Sequence, residues 1–160
     1  MKPFLSNIIT AVNGSDSSIM AAKYAIIMAK TYNCQLSVVY VVDTATIKQL
    51  TLSKIFIKEE SIEYEKSLAE NGERYLAFVE ELARAKGIKI EKEIRRGAVY
   101  TEIITAAEER KADLIVLGGL ERVRGAKDVL DHAQCQIMIG AKCSVLLVKE
   151  PNIEQRYKQL

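Results

Sequence analysis

Proline is almost missing from this sequence. The 160-residue chain has two, Pro3 and Pro151, one near each end. Proline breaks helices and central strands alike, so nothing between these two positions forces an interruption. A single domain over residues 1–150 with a short tail, 151–160, is expected. Cysteine is scarce as well. Cys34, Cys135 and Cys143 are too few and too scattered for a disulfide framework and lack the close paired spacing of a zinc site. They read as small buried thiols. Charge of one sign is not in excess: 23 basic against 21 acidic residues leave +2. No strong field therefore draws in nucleic acid or an anionic membrane. Long uninterrupted apolar runs are absent too. The segment VLDHAQCQIMIGAKCSVLLV is broken by Asp131, His132 and Lys142. No window has the form of a signal peptide or a membrane span, so a cytoplasmic protein is the expectation. There is one histidine, His132, and no serine has a convincing base placed beside it. No catalytic constellation results, and a non-enzymatic protein is expected.

What remains is an ordinary globular composition, 49% hydrophobic and 28% charged, in a chain long enough for one real core. Its pattern alternates between strand and helix. NIITAV, residues 7–12, is a short apolar run rich in β-branched residues, so a buried strand. Gly14 turns the chain, and Ser15 or Asp16 can cap a helix that runs to about residue 32. QLSVVYVV, residues 35–42, is the second strand. A polar, irregular stretch is expected over 43–57, with Ile47, Leu50, Leu52, Ile55, Phe56 and Ile57 able to cover a site as a lid or to pack elsewhere. A long helix over 59–86 follows, with Tyr75, Leu76, Val79, Leu82 and Ala83 on one face and Gly87 as its stop. IKIEKEI, residues 88–94, alternates apolar and charged. Residues 99–110 form a helix, 113–119 the fourth strand, 127–141 the last helix, and SVLLV, residues 144–148, the fifth strand.

This order implies an α/β fold: a doubly wound, five-stranded parallel sheet with helices on both faces. The first and fourth strands are apolar throughout and belong in the middle. The third carries Lys89, Glu91 and Glu93 and belongs at an edge. The fifth should form the other edge, yet it is wholly apolar. An exposed apolar edge invites pairing, so a second copy is expected to cover Ser144–Val148 as a homodimer. Ligands of such sheets bind beyond the carboxyl ends of the strands, where the strand order reverses. That point should fall between the first and fourth strands, at Asn13, Gly14 and Ser15 on one side and Gly118 and Gly119 on the other.

In order and spacing, IITAVNGSDSS, the strand ending YVVD, and ADLIVLGG followed by a loop, a helix and CSVLLV resemble the universal stress protein family over residues 7–149. The resemblance implies the strand order 3-2-1-4-5 (an adenine nucleotide alpha hydrolase-like fold), dimers paired through the last strand, and a role in survival under stress. One branch of that family binds ATP with Gly, two residues, Gly, nine residues, then Gly with Ser or Thr. The glycines let main-chain N–H groups converge on phosphate, and the hydroxyl sits at a helix N-terminus. Laid on this chain, the pattern falls on Gly118, Glu121, Asp131 and His132, of which the first matches. Glu121 and Asp131 put negative charge where bare amides would be. Each would oppose a polyphosphate by on the order of 1 kcal/mol. Asn13 stands where the family usually has Asp, and its amide oxygen could accept a hydrogen bond from adenine.

The expected function is therefore a small regulatory or binding module of the stress response without the usual ATP grip. The alternative is a member that still holds ATP or AMP. Its cleft would then use Ala11, Val12 and Asn13 at the first strand, Val41 for adenine, and the amides of Gly118 and Gly119. Arg122 and Arg124 would neutralise phosphate, and His132 would replace the missing hydroxyl. In that case slow ATP hydrolysis is the most activity the resemblance allows. A third reading is pure interaction, with the apolar edge and the 43–57 stretch recruiting a protein partner. The run Gly14–Ser15–Asp16–Ser17 also has a faint likeness to the SGGxDS pyrophosphate loop of ATP pyrophosphatase-type ligases, but helix capping explains the same residues.

Overall fold

The computed structural model describes residues 2–119 and 131–160. Five strands, β1 (Asn7–Ala11), β2 (Gln35–Asp43), β3 (Ile90–Gly97), β4 (Leu114–Gly118) and β5 (Ser144–Val148), form one sheet in the order β3-β2-β1-β4-β5. Every neighbouring pair is parallel. The central strands are apolar because both of their faces are covered. On β1 and the residue after it, Ile8 and Val12 face one core and Ile9 and Ala11 the other. The first core is closed by helices α1 (Asp16–Tyr32) and α3 (Lys58–Arg84), the second by α4 (Val99–Glu109) and α5 (His132–Gly140).

The strand ends are tied by side chains. The Asp113 carboxylate accepts the N–H groups of Ser6 at 2.8 Å and Asn7 at 3.0 Å, which fixes the start of β1 against the start of β4. Thr10, fully buried, donates its hydroxyl to the Val116 carbonyl at 2.8 Å. The edge strand β3 carries an ion-pair network. Arg95 reaches Glu93, Glu102 and Glu109, while Arg110 reaches Glu91 and Glu93. Such charge on an edge discourages pairing with another sheet. At the opposite edge, Val145, Leu146 and Leu147 are half-buried, and Met138 and Ile139 of α5 are exposed nearby in sequence.

Three expectations need correction. The stretch 43–57 is not irregular: Thr44–Leu52 is a helix, α2. Asp43 starts it by accepting the Thr46 N–H at 3.0 Å and the Thr46 hydroxyl at 2.7 Å, and buried Ile47 anchors it. Its threonines have low helix propensity, so packing and the cap decide the outcome. The tail, residues 151–160, is folded as well. Ile153–Lys158 forms helix α6, which packs on α1. The last helix begins at His132 among the described residues, and 127–130 lie outside them. Finally, the three cysteines are half-buried, not buried. Burial, with the Asp113 carboxylate adding to it, still pushes the Cys34 and Cys143 thiols up, so they stay protonated.

Candidate functional site

The strand order reverses between β1 and β4, and α1, which follows β1, packs on one face of the sheet while α5 packs on the other. The carboxyl ends of β1 and β4 therefore open a cleft. It has a volume of about 210 Å³. Ala11, Val12 and Asn13 form one wall, Val41 another, and Gly118 the floor beside Leu117. Ser15, Ser17 and Ser18 come from the start of α1, Val99 and Ile103 from α4, and Asp131, Gln134 and Ile137 from the start and inner face of α5.

The β1–α1 turn is held by its own polar groups. Gly14 has φ +87°, and a Cβ there would come within 2.4 Å of the Tyr75 ring. Glycine is therefore required both for the backbone conformation and for the approach of α3. The Asn13 side-chain oxygen accepts the Ser15 N–H at 2.9 Å, which leaves it one further lone pair for a ligand. Ser15 caps α1 by accepting the Ser18 N–H at 3.2 Å.

On the other side, α5 starts with a capping box. The Asp131 carboxylate accepts the Gln134 N–H at 2.7 Å, and the Gln134 side-chain oxygen accepts the Asp131 N–H at 3.0 Å. The Gln134 amide nitrogen then donates to the carbonyls of Gly118 at 2.7 Å and Gly119 at 3.2 Å. One glutamine thus ties the start of α5 to the end of β4. The positive end of the α5 dipole, which could attract a phosphate, already faces a carboxylate of the same chain.

The expected site residues are placed as follows. Ala11, Val12, Asn13, Val41 and Gly118 line the cleft together. Gly119 does not line it; its backbone lies against the Val148 carbonyl, where a Cβ would sit 2.1 Å away. His132 stands on the first turn of α5 with its ring edge-on to Tyr100, centroids 5.9 Å apart, and is exposed outside the cleft lining. Arg122 and Arg124, with Glu121, lie outside the described residues. Gln134 was not singled out by the sequence reading, although Asp131 followed by glutamine at the third position is a capping-box signature. Val99, Ile103 and Ile137 were also missed. Among the described residues no group of three or more His, Cys, Asp and Glu side chains could hold a metal ion. No described helix is long and apolar enough to cross a membrane.

The sequence pattern of the Universal stress protein family matches residues 5–149. The chain belongs to the universal stress protein family. It is 36% identical over 152 residues to a universal stress protein of Methanocaldococcus jannaschii, a match covering 92% of this chain and 84% of that one. Solved structures agree in fold. The hypothetical protein MJ0577, whose biochemical function was assigned from its structure, superposes with a TM-score of 0.75 at 20% identity, over 94% of this chain and 99% of that one. A universal stress protein in complex with cAMP gives 0.66 at 23%, over 92% and 99%. One from Archaeoglobus fulgidus in complex with dAMP gives 0.60 at 18%, over 92% and 100%. The fold is thus the adenine nucleotide alpha hydrolase-like arrangement, as its strand order already indicates.

Proposed function

We propose that this universal stress protein is a non-enzymatic regulatory module whose cleft takes an adenine nucleotide with a single phosphate, not ATP. The observation that carries this reading is the capping box at α5. The Asp131 carboxylate holds the amide that a phosphate would use and brings its own negative charge to the cleft. A polyphosphate meets repulsion there, whereas a monophosphate presents less charge to it. Support for an adenine ligand comes from the neighbours in complex with cAMP and dAMP and from the apolar walls at Val12, Val41 and Val99. Asn13, Val41 and Gly118 would position the base and ribose. Gly119 and His132 stand outside the lining and take no part in this reading, while Arg122 and Arg124 would act on the phosphate. The protein would work in the cytoplasm in the stress response, as a homodimer through Ser144–Val148, over a domain of residues 1–150 carrying α6 as an addition.

The test has two steps. The freshly purified protein is denatured and any released small molecule identified by mass spectrometry. The stripped protein is then titrated calorimetrically with AMP, cAMP and ATP plus magnesium. AMP or cAMP binding more tightly than ATP is expected. ATP binding at micromolar strength, or its release from the purified protein, would restore the ATP-holding alternative. No binding by any adenine nucleotide would move the role to the protein surface.

A further inference from the structure

Helix α6 lies beyond the part of the chain that the family pattern matches, residues 5–149. It is nevertheless firmly seated. Ile153 is 0% and Tyr157 7% exposed. Six residues do not hold a helix in water unaided, so the surface beneath must hold this one. That surface is the seam between α1 and the end of α3. The Tyr157 hydroxyl donates to the Leu82 carbonyl at 2.6 Å. The Tyr157 ring lies 5.4 Å from the Lys23 ammonium and 4.7 Å from that of Lys86. Among the described residues Lys23 is the one charged residue that is buried, and Glu154 of α6 is the carboxylate paired with it. Without α6, the seam would present an apolar floor, two ammonium groups and an open carbonyl acceptor. Those are the features of a groove for a helix with an acid and a phenol on its inner face.

We infer that the α1–α3 seam is a docking groove for a short amphipathic helix and that α6 is its resident, displaceable occupant. The partner that fits carries an aliphatic residue, a carboxylate at the next position and a tyrosine four positions after the aliphatic, the pattern of Ile153, Glu154 and Tyr157. Charge complementarity selects it: Lys23 takes the carboxylate, Lys86 and Lys23 take the ring face, and the Leu82 carbonyl takes the hydroxyl. Four residues, Lys149, Glu150, Pro151 and Asn152, connect α6 to β5. A tether this short holds α6 at an effective concentration on the order of millimolar. A competing helix is therefore excluded until α6 is released, and the groove is autoinhibited in the resting protein.

The experiment uses the full chain and a fluorescein-labelled peptide with the sequence of residues 149–160. Peptide binding is followed by anisotropy, with circular dichroism as the check on folding. A chain carrying Ile153→Asp and Tyr157→Ala should bind the peptide at least about tenfold more tightly than the unmodified chain, since the tethered competitor is gone. Adding Lys23→Glu should abolish binding, and a peptide with Glu154→Lys should restore it. Equal binding by the released and unmodified chains, or indifference to the charge reversal, overturns the inference. Hydrogen exchange on the unmodified chain decides the matter independently of any variant. The α6 amides should exchange through local opening, well before those of β1 and β4. Exchange of α6 only together with the central strands would show that the helix is not displaceable.

Discussion

Asp131 and Gln134 cap each other: the carboxylate of one accepts the backbone N–H of the other at 2.7 Å, and the amide oxygen returns the contact at 3.0 Å. The same carboxylate lines the cleft, so its structural and electrostatic effects can be separated by substitution. Asp131→Ser keeps a side-chain acceptor at the cap and removes the charge. It should leave stability within about 0.5 kcal/mol and tighten ATP binding by roughly fivefold, the equivalent of about 1 kcal/mol of relieved repulsion. Asp131→Ala should lose about 1 kcal/mol of stability through the cap. Paired calorimetric titration and urea unfolding check both. Unchanged ATP affinity in Asp131→Ser would mean that the carboxylate does not govern the cleft.

Much of the lining of this cleft was legible in the sequence, and the limit has a physical cause. Asn13 and Gly118 follow from strand ends and the reversal of strand order, a local pattern plus one topological rule, with Ala11 and Val12 just before Asn13 in the chain. Val41 came from the resemblance to the family. Val99, Ile103 and Ile137 reach the cleft only through how far α4 and α5 overhang the sheet, a tertiary matter that no spacing announces. Asp131 was legible as a charge at a phosphate position, but not as a helix cap, because the cap depends on where α5 starts. The expected start at residue 127 hid it; the observed start at His132 makes it plain. Helices α2 and α6 were missed for the same kind of reason. The threonines of α2 and the six-residue length of α6 argue against helix locally, and burial of Ile47, Ile153 and Tyr157 overrides them.

Acid should weaken the protein through Asp113 and Glu93. The N–H groups of Asn7 and Ser6 hold the Asp113 carboxyl below its usual range, against a smaller opposing effect of burial and with help from Lys2. Burial raises Glu93, but Arg110 and Arg95 together overcome it and leave it lowered. A carboxyl depressed in the folded state contributes stability that is complete above its unfolded value, about 4, and is lost as pH falls through the folded value. Urea unfolding from pH 7 to pH 2 should therefore show a steep decline that begins near pH 4. Asp113→Asn should lower stability at pH 7 and flatten that decline. A decline of unchanged steepness in the variant would remove Asp113 as its source.

Arg95 is the hub of the β3 edge. Its guanidinium meets Glu93 at 2.7 Å, Glu102 at 2.8 Å and Glu109 at 2.9 Å, with its side chain only 14% exposed. Removing it leaves three carboxylates without their shared cation. Arg95→Ala should cost about 1–2 kcal/mol: Glu102 loses its cation, while Glu93 keeps Arg110 and Glu109 is exposed enough for water to replace the pair. Arg95→Lys should cost less but still measurably, since an ammonium cannot fork to several acceptors. Denaturant unfolding at low and at 1 M salt checks this: the Arg95→Ala loss should shrink at high salt as the carboxylates are screened. A loss below about 0.5 kcal/mol would class the network with ordinary surface pairs.

The other edge makes the opposite prediction. β5 offers Val145, Leu146 and Leu147 half-buried in a single copy, and Ile139 of α5 is 79% exposed. The two edges of one sheet thus differ in kind: β3 is blocked by charge and β5 is left apolar and open to pairing. A symmetric contact of β5 with β5 from a second copy would complete the ladder and cover these side chains. Sedimentation equilibrium of the unmodified protein should give a dimer. Val145→Lys, which sets like charges against each other across a two-fold contact, should give a folded monomer, because Val145 has solvent to turn toward once the partner leaves. A monomer in the unmodified protein would mean that the edge is tolerated bare. A dimer that survives Val145→Lys would place the interface on another surface.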